Sequence, residues 1–348
     1  MTKIAVYAIA KNEEQFVQRW YESAQDADGL FILDTGSSDR TVELARDLGI
    51  TVEVQEFVPW RFDHARNASL GMIPEDYDWC IALDMDEVLV AGWRDSIEGL
   101  RPEVTRPRYK YTWSWEAPGR PGLQYGGDKI HRRHGYFWKH PVHEVITPVG
   151  EDVHGWCPME IHHFPDSSKS RSQYLPLLEL AVAEDPEDAR NAHYLAREYF
   201  NIGDRDKAQA EFLRHLSLPS ATWGAERAQS CRYLYKITGE MDWLVKATEE
   251  APGRREALVD LAVHHHDHEN WNGCLDASIA ALQITEKPME YLVEQHAWGT
   301  LPHDLAALAA YKLGYFHEAK YHGMEAIKLN PYDDRLVSNF RWYKEAAA

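Results

Sequence analysis

The first 90 residues switch hydrophobic period again and again, and this limits the folds open to the chain more than any other feature. KIAVYAIA (3–10) is a continuous apolar run, and NEEQFVQRWYESAQ (12–25) then sets Phe16, Val17, Trp20 and Tyr21 at helical intervals. GLFILD (29–34) is a second run. SSDRTVELARDLG (37–49) follows it, opening on cap residues and ending on Gly49, as a helix begins and stops. ITVEVQEF (50–57) and RFDHARNASLGMI (61–73) repeat the alternation, and WCIALD (79–84) supplies a fourth strand. Strand–helix alternation of this kind predicts an α/β domain built on a mostly parallel, doubly wound sheet. Ligands of such sheets sit beyond the carboxyl ends of the strands. Those ends here carry Asn12 and Glu13, Asp34, and Asp84 with Asp86.

Residues 100–165 differ, being rich in aromatics, Gly and Pro; RYKYTWSW and MEIHHF read there as antiparallel strands. After PDSSKSRS the pattern becomes helical to the end. YLAREYFNIGDRDKAQAEFL places Gly203 five residues before Ala208, and LAALAAYKLGYFHEAKYHGMEAI places Gly314 five before Ala319. Weaker copies centre on Gly239 and Glu269, so the turns are spaced by 36, 30 and 45 residues. This resembles tetratricopeptide-type hairpins carrying insertions, in which Gly serves the turn and small residues let helices approach. The expected organisation is an α/β domain over 1–168 and an all-α repeat domain over 169–348.

A net charge of −19 argues against a protein that coats nucleic acid. No apolar run approaches the ~18 residues of a membrane span. The short run in MTKIAVYAIA, followed by KNEE, suits a first strand better than a leader. Cys80, Cys157, Cys231 and Cys274 have no paired metal-ligand spacing and read as reduced thiols of a cytoplasmic protein.

The chemistry concentrates in DYDWCIALDMDEVLV (76–90). Of the four D-x-D triplets in the chain, only Asp84–Asp86 closes an apolar strand. At a period of two both carboxylates face one side, where they repel unless a cation neutralises them. Hard oxygen ligands suit Mg2+ or Mn2+. Alternatively, Asp86 caps whatever helix follows.

AIAKNEE, LDTGSSDRTVELA, FDHARNASL and the D-x-D strand occur in an order and spacing that resemble the family 2 glycosyltransferases. These have the single Rossmann-like, metal-dependent nucleotide-sugar fold called GT-A. The resemblance covers about residues 3–165, and bacterial and phage members with helical repeats behind the catalytic domain are the nearest match. It implies an inverting hexosyltransferase using a nucleotide diphosphate donor, a UDP-sugar foremost, with Mn2+ or Mg2+. Ala10, Asn12 and Glu13 would lie along the nucleotide, and Asp34 would read the base or ribose. Thr35 stands where relatives often have a second Asp, which leaves the base open. Arg66 would meet the diphosphate or hold the D-x-D carboxylates. Asp84 would sit nearer the ribose and Asp86 would bind the metal. Glu144, in WKHPVHEVI, is the candidate general base, its alternative being a structural partner of His143 or His140. Of His162 and His163 one can reach the metal, and the FPD turn favours His163. Lys129 and Arg132, in DKIHRRH, match a basic position facing the donor phosphates.

Residues 106–140 hold eight Lys/Arg and two acids among Tyr109, Tyr111, Trp113, Trp115, Tyr125, Tyr136, Phe137 and Trp138. They read as an acceptor wall, with about half of the rings expected in the core. HHHDH (264–268) fans around a helix and cannot converge on a metal, although His264 and His268 form an i, i+4 pair. Three functions compete. In the first, the enzyme serves a macromolecular acceptor, protein or glycan, docked on the repeats. In the second, a phage-type enzyme glycosylates a modified base in DNA; the 17 basic and 27 acidic residues before Phe164 disfavour this. In the third, the chain is an inactive nucleotide-sugar-binding scaffold.

Overall fold

The computed structural model describes residues 2–166 and 174–348. Contacts divide the chain into Met1–Ala181 and Val182–Ala348. The expected break at 168/169 lies outside the described residues.

In the first unit, Ile4–Ala10 (β1), Glu14–Ala24 (α1), Gly29–Asp34 (β2), Thr41–Asp47 (α2), Thr51–Val54 (β3), Phe62–Gly71 (α3) and Trp79–Ala82 (β4) follow the sequence reading. Then come Glu87–Leu89 (β5), Trp93–Glu98 (α4), Arg106–Thr112 (β6), Trp115–Ala117 (β7), Arg120–Pro121 (β8) and Gln124–Gly127 (β9). Ile130–Arg132 (β10), Tyr136–Lys139 (β11), Val145–Pro148 (β12) and His154–His163 (β13) complete the unit's strands.

The main sheet has the order β10-β4-β1-β2-β3, with β1 to β4 parallel and β10 antiparallel on the edge. β1 is apolar along its length because both of its faces are covered. Ile4, Val6 and Ala8 pack with Val17, Trp20 and Ala24 of α1, while Ala5 and Tyr7 pack with Leu70, Tyr136 and Trp138. Strand order reverses between β1 and β4, and the crevice that opens at such a reversal is where α/β sheets bind ligands.

A second sheet runs β5-β13-β6-β9. The strands expected to be antiparallel are not so to each other: β6 and β13 pair in parallel, from His154↔Arg106 to His162↔Thr112. The antiparallel partners are β9 for β6 and β5 for β13. Alternating aromatics mark a strand but carry no information about the direction of its neighbour.

Arg106 of β6 grips Asp152 ahead of β13, with Nε 3.1 Å from Oδ1 and Nη2 2.5 Å from Oδ2. The guanidinium, helped by Tyr136, outweighs burial and lowers the Asp152 carboxyl to about 2. A depressed carboxylate stabilises the fold above its ordinary value of 3.8, and that stability is lost as pH falls through about 2. Asp152→Asn should therefore cost about 2 kcal/mol at neutral pH. The gap to wild type should close in acid, which unfolding titrations against pH will read; a gap independent of pH would refute the pairing.

The second unit has helices and no strand among its described residues. After Tyr174–Glu184 (α5) come the hairpins Ala189–Asn201 (α6) with Arg205–Ser217 (α7), Gly224–Thr238 (α8) with Asp242–Glu250 (α9), and Arg255–Asp267 (α10) with Trp271–Gln283 (α11). Gln295–Trp298 (α12) precedes Leu301–Lys312 (α13), Phe316–Leu329 (α14) and Asp334–Ala346 (α15). The four expected turns are all left-handed: φ is 88° at Gly203, 75° at Gly239, 52° at Glu269 and 82° at Gly314. Five residues beyond each turn, Ala208, Leu244, Cys274 and Ala319 are fully buried. The weaker copies thus keep the repeat's geometry with a larger side chain at the crossing and, at Glu269, a non-glycine turn. His264 bonds the Tyr235 hydroxyl at 2.9 Å, and the His268 ring bonds the His264 carbonyl at 2.7 Å. All four cysteines are buried and unpaired. No helix among the described residues is long and apolar enough to cross a membrane.

Candidate active site

Arg66 lies on the buried side of α3 with Ala65, Ser69 and Leu70 and is 5% exposed. Its neighbour Asn67 clamps β11, the side-chain amide donating to the Trp138 carbonyl and accepting from the Trp138 N–H, each at 2.8 Å. The Arg66 guanidinium rests 5.0 Å from the centre of the Trp138 ring. From β11 the chain turns through His140 (φ 83°) and His143 (φ 50°), both left-handed, and delivers Glu144 to Arg66. Arg66 Nε is 2.7 Å from Glu144 Oε1, and Nη2 is 2.6 Å from Asp84 Oδ1. Arg66 therefore holds one D-x-D carboxylate and the candidate base together. Burial opposes its charge, yet Asp84 and Glu144 keep the guanidinium above the ordinary arginine value. Its Nη1 is buried without a hydrogen-bond partner among the described residues.

Lys129 approaches from the other side. Its Nζ is 2.6 Å from Asp84 Oδ2 and 2.8 Å from Glu87 Oε1. Glu87 also accepts from the Tyr111 hydroxyl at 2.6 Å and, through Oε2, from the Asp84 N–H at 2.8 Å. Burial would raise the Asp84 carboxyl, but Arg66 and Lys129 prevail and hold it below the usual carboxylate range. At Glu87 burial prevails, aided by the Asp84 charge, and its carboxyl is pushed up. Lys129 is driven well above its ordinary value by the two acids despite burial. Three carboxylates share two cations, so the environments of adjacent acids are pushed apart.

Asp84 and Asp86 were expected on one side of an extended strand. The strand stops at Ala82, and a turn closes with the Glu87 N–H donating to the Asp84 carbonyl at 2.9 Å. The turn sends Asp84 to Arg66 and Lys129 and Asp86 to His163, so two protein cations balance Asp84. Asp86 Oδ2 is 3.4 Å from His163 Nε2. The His163 ring stacks on Trp113 with centroids 4.3 Å apart, and its Nδ1 lies 2.9 Å from the Trp113 carbonyl. A carbonyl only accepts, so Nδ1 carries the hydrogen and Nε2 presents a lone pair to Asp86. Two acceptors facing each other need a proton or a cation between them. Burial disfavours the protonated ring, but Asp86 and the Trp113 carbonyl still raise His163 above its ordinary value. His162 turns to Glu160, with Nε2 3.0 Å from Oε1. Among the described residues no third His, Cys, Asp or Glu joins Asp86 and His163 in a metal-holding group.

The β1 and β2 ends form a knitted pair of loops. Ala10 is buried, pairs with Asp34, and its carbonyl accepts from the Thr35 N–H and hydroxyl. Asn12 is left-handed at φ 55°; its N–H reaches Ser37 Oγ and its Oδ1 accepts from the Ser38 N–H. The Glu13 N–H donates to Thr41 Oγ1 at 2.7 Å. Asp34 is fully buried: Oδ1 accepts from the Gly36 and Ser37 N–H groups and Oδ2 from the Ser37 hydroxyl. Both of its oxygens are engaged by its own loop.

Arg132 is not brought to this end. β10 runs antiparallel to β4 and sets Arg132 opposite Trp79, where that strand begins. Asp84 lies five residues further on, ~17 Å along an extended chain. Arg132 instead caps the Val104 and Pro102 carbonyls and stacks 4.0 Å from the Trp79 ring centre. Lys129, three residues earlier on the same strand run, is at the correct end. Of the eight aromatics, Tyr109, Tyr111, Tyr136 and Trp138 are core, while Trp113 and Phe137 are each 38% exposed. Sequence reasoning missed Asn67 and Glu87. Glu87 stood beside the D-x-D, but only the turn reveals that it folds back onto Asp84; Asn67 has no signal short of the β11 contact.

No family model matches the chain. An uncharacterized glycosyltransferase of Rickettsia bellii is 32% identical over 108 residues, 31% of this chain and 35% of the relative. The lipopolysaccharide core biosynthesis glycosyltransferase LpsC of Rhizobium meliloti is 26% identical over 163 residues, 42% of this chain and 58% of LpsC. A TPR repeat-containing protein of Synechococcus elongatus is 25% identical over 323 residues, 87% of this chain and 71% of the relative. The chain thus spans 35% of the rickettsial relative's length. Among solved structures, the TPR protein YrrB is 17% identical at a TM-score of 0.39, covering 49% of this chain and 84% of YrrB. Glucosyl-3-phosphoglycerate synthase from Mycobacterium tuberculosis, in complex with Mn2+, UDP and glucosyl-3-phosphoglycerate, is 23% identical at 0.27, covering 32% of this chain and 44% of that one. Both scores are too low to establish a shared fold. The N-terminal region is therefore related in sequence to proteins named glycosyltransferases, and the chain as a whole to a protein named for its TPR repeats.

Proposed function

We propose that the chain is an inverting, metal-dependent glycosyltransferase with a GT-A-type domain at residues 1–168 and a TPR-like domain at 169–348. It would move a hexose from a UDP-sugar to a hydroxyl of a macromolecular acceptor, protein or glycan, that docks on the repeats. The observation that carries this reading is the convergence of Arg66 on Asp84 and Glu144, beside the facing acceptors of Asp86 and His163. An oxygen and an imidazole nitrogen fit a Mn2+ or Mg2+ site whose other ligands come from the donor diphosphate and water. The Trp113 carbonyl fixes the His163 tautomer such a site needs. When bound, the ion would neutralise charge developing on the departing diphosphate.

The chain's own residues supply the rest. Glu144 would take the acceptor proton as its oxygen attacks the anomeric carbon. Arg66, with Nη1 still unused, would donate to the leaving diphosphate. Lys129 holds Asp84 in place, and Asp84 would face the ribose. One observation favours a second reading: Asp34 has both oxygens engaged, so a chain that grips a diphosphate without reading uracil is the alternative.

Calorimetric titration of UDP with and without Mn2+ tests the proposal. Binding should require the ion, and Asp86→Ala should abolish the metal-dependent part while the fold persists. Metal-independent binding, unchanged in the variant, would end the metal role. Equal affinity for UDP, GDP and TDP would favour the second reading.

A further inference from the structure

The 45-residue spacing between the turns at Glu269 and Gly314 contains an extra stretch, residues 284–294, with no helix or strand. It is nonetheless firmly held. It lies across the first helices of three successive hairpins, α6, α8 and α10, touching them as a bound peptide would. Tyr291 stacks on Tyr194 of α6 at 6.5 Å and donates to Glu226 of α8 at 3.1 Å. Leu292 and Val293 are buried, with Leu292 among the α8 and α10 alanines. Acids flank this apolar centre. Glu294 pairs with Arg232 of α8 at 2.5 and 3.0 Å, and Glu290 pairs with Arg254 at the start of α10.

The arginines are built to survive loss of the stretch. Each also has an acid on the helices themselves: Asp260 for Arg232 at 2.7 Å and Glu256 for Arg254 at 3.3 Å. Residues 285–287, which lead in from α11, are exposed. Release would therefore leave no buried guanidinium without a counter-charge, the situation that makes a broken ion pair expensive.

We propose that residues 286–294, EKPMEYLVE, are an intrachain pseudoligand of a groove on the first helices. The groove's true ligand would be an extended segment of a partner protein with the same chemistry, two carboxylates flanking a tyrosine and aliphatic side chains. Helical repeats present extended surfaces suited to such peptides. A tethered occupant acts at millimolar effective concentration, so it closes the groove to weak ligands. The device holds whatever the N-terminal unit transfers.

The test uses the full chain and a fluorescent peptide of residues 286–294. The doubly reversed variant Glu290→Lys/Glu294→Lys should bind this peptide at least about ten-fold more tightly than wild type. A peptide carrying the same two reversals should bind neither protein. Equal binding of the native peptide to both proteins, with the variant folded by circular dichroism, would overturn the proposal. Hydrogen exchange on the unaltered chain is a second arm. Amides of 286–294 should exchange faster than those of α8 and α10; exchange in step with those helices would make the stretch a fixed part of the fold. A wild-type dimer by light scattering that swaps the segment between copies would overturn the intrachain form.

Discussion

Arg66→Met should be among the most damaging single replacements in the N-terminal unit, at about 3–5 kcal/mol of stability. Methionine keeps an apolar stem over Trp138 but leaves Glu144 facing Asp84 without the cation between them. Lys129 still balances one oxygen of Asp84, so the uncompensated charge falls chiefly on Glu144. Urea unfolding, with exchange of the β4 and α3 amides as a local readout, measures the loss. Arg66→Lys should recover only part of it, because one ammonium cannot reach both carboxylates in the fork geometry of a guanidinium. A loss no larger than that of an exposed ion pair, about 1 kcal/mol or less, would show that Arg66 does not organise the site.

Glu144→Gln should lower sugar transfer by about 10²–10⁴-fold while donor affinity is kept. The amide oxygen can still accept from Arg66 Nε, so the loop stays in place and the change removes basicity more than position. The split between turnover and donor binding separates this outcome from general disruption, in which both would fall. Transfer at the wild-type rate would remove Glu144 as the base and leave it as a strut for Arg66.

Much of the site could be read from the chain because strand ends are local features. Asp34, Asp84 and Asp86 each close an apolar run, and the structure puts all three where β2 and β4 stop. The turn between Asp84 and Glu87 was not readable. Asp84, Met85 and Asp86 alternate acid and non-acid and so continue a strand in pattern, and only the bond from the Glu87 N–H to the Asp84 carbonyl ends it. Lys129 and Arg132 looked equivalent in DKIHRRH. Which of them reaches Asp84 depended on the antiparallel direction of β10 against β4, a pairing between residues 49 to 53 apart. In the helical unit, the weaker copies read at Gly239 and Glu269 share the left-handed turn and the buried crossing position five residues on.

By itself the sequence determined the period of each segment, and hence the parallel sheet, the succession of hairpins and the carboxylates at the strand ends. Periodicity is a property of neighbouring residues, and burial of one face follows from it whatever the rest of the chain does. Tertiary structure alone decided which charges meet. Arg66 reaches Glu144 across 78 positions, His163 reaches Asp86 across 77, and Arg232 reaches Glu294 across 62. An ion pair depends on a few ångströms between two heads, and that separation is set by packing between elements that leave no trace in either local pattern.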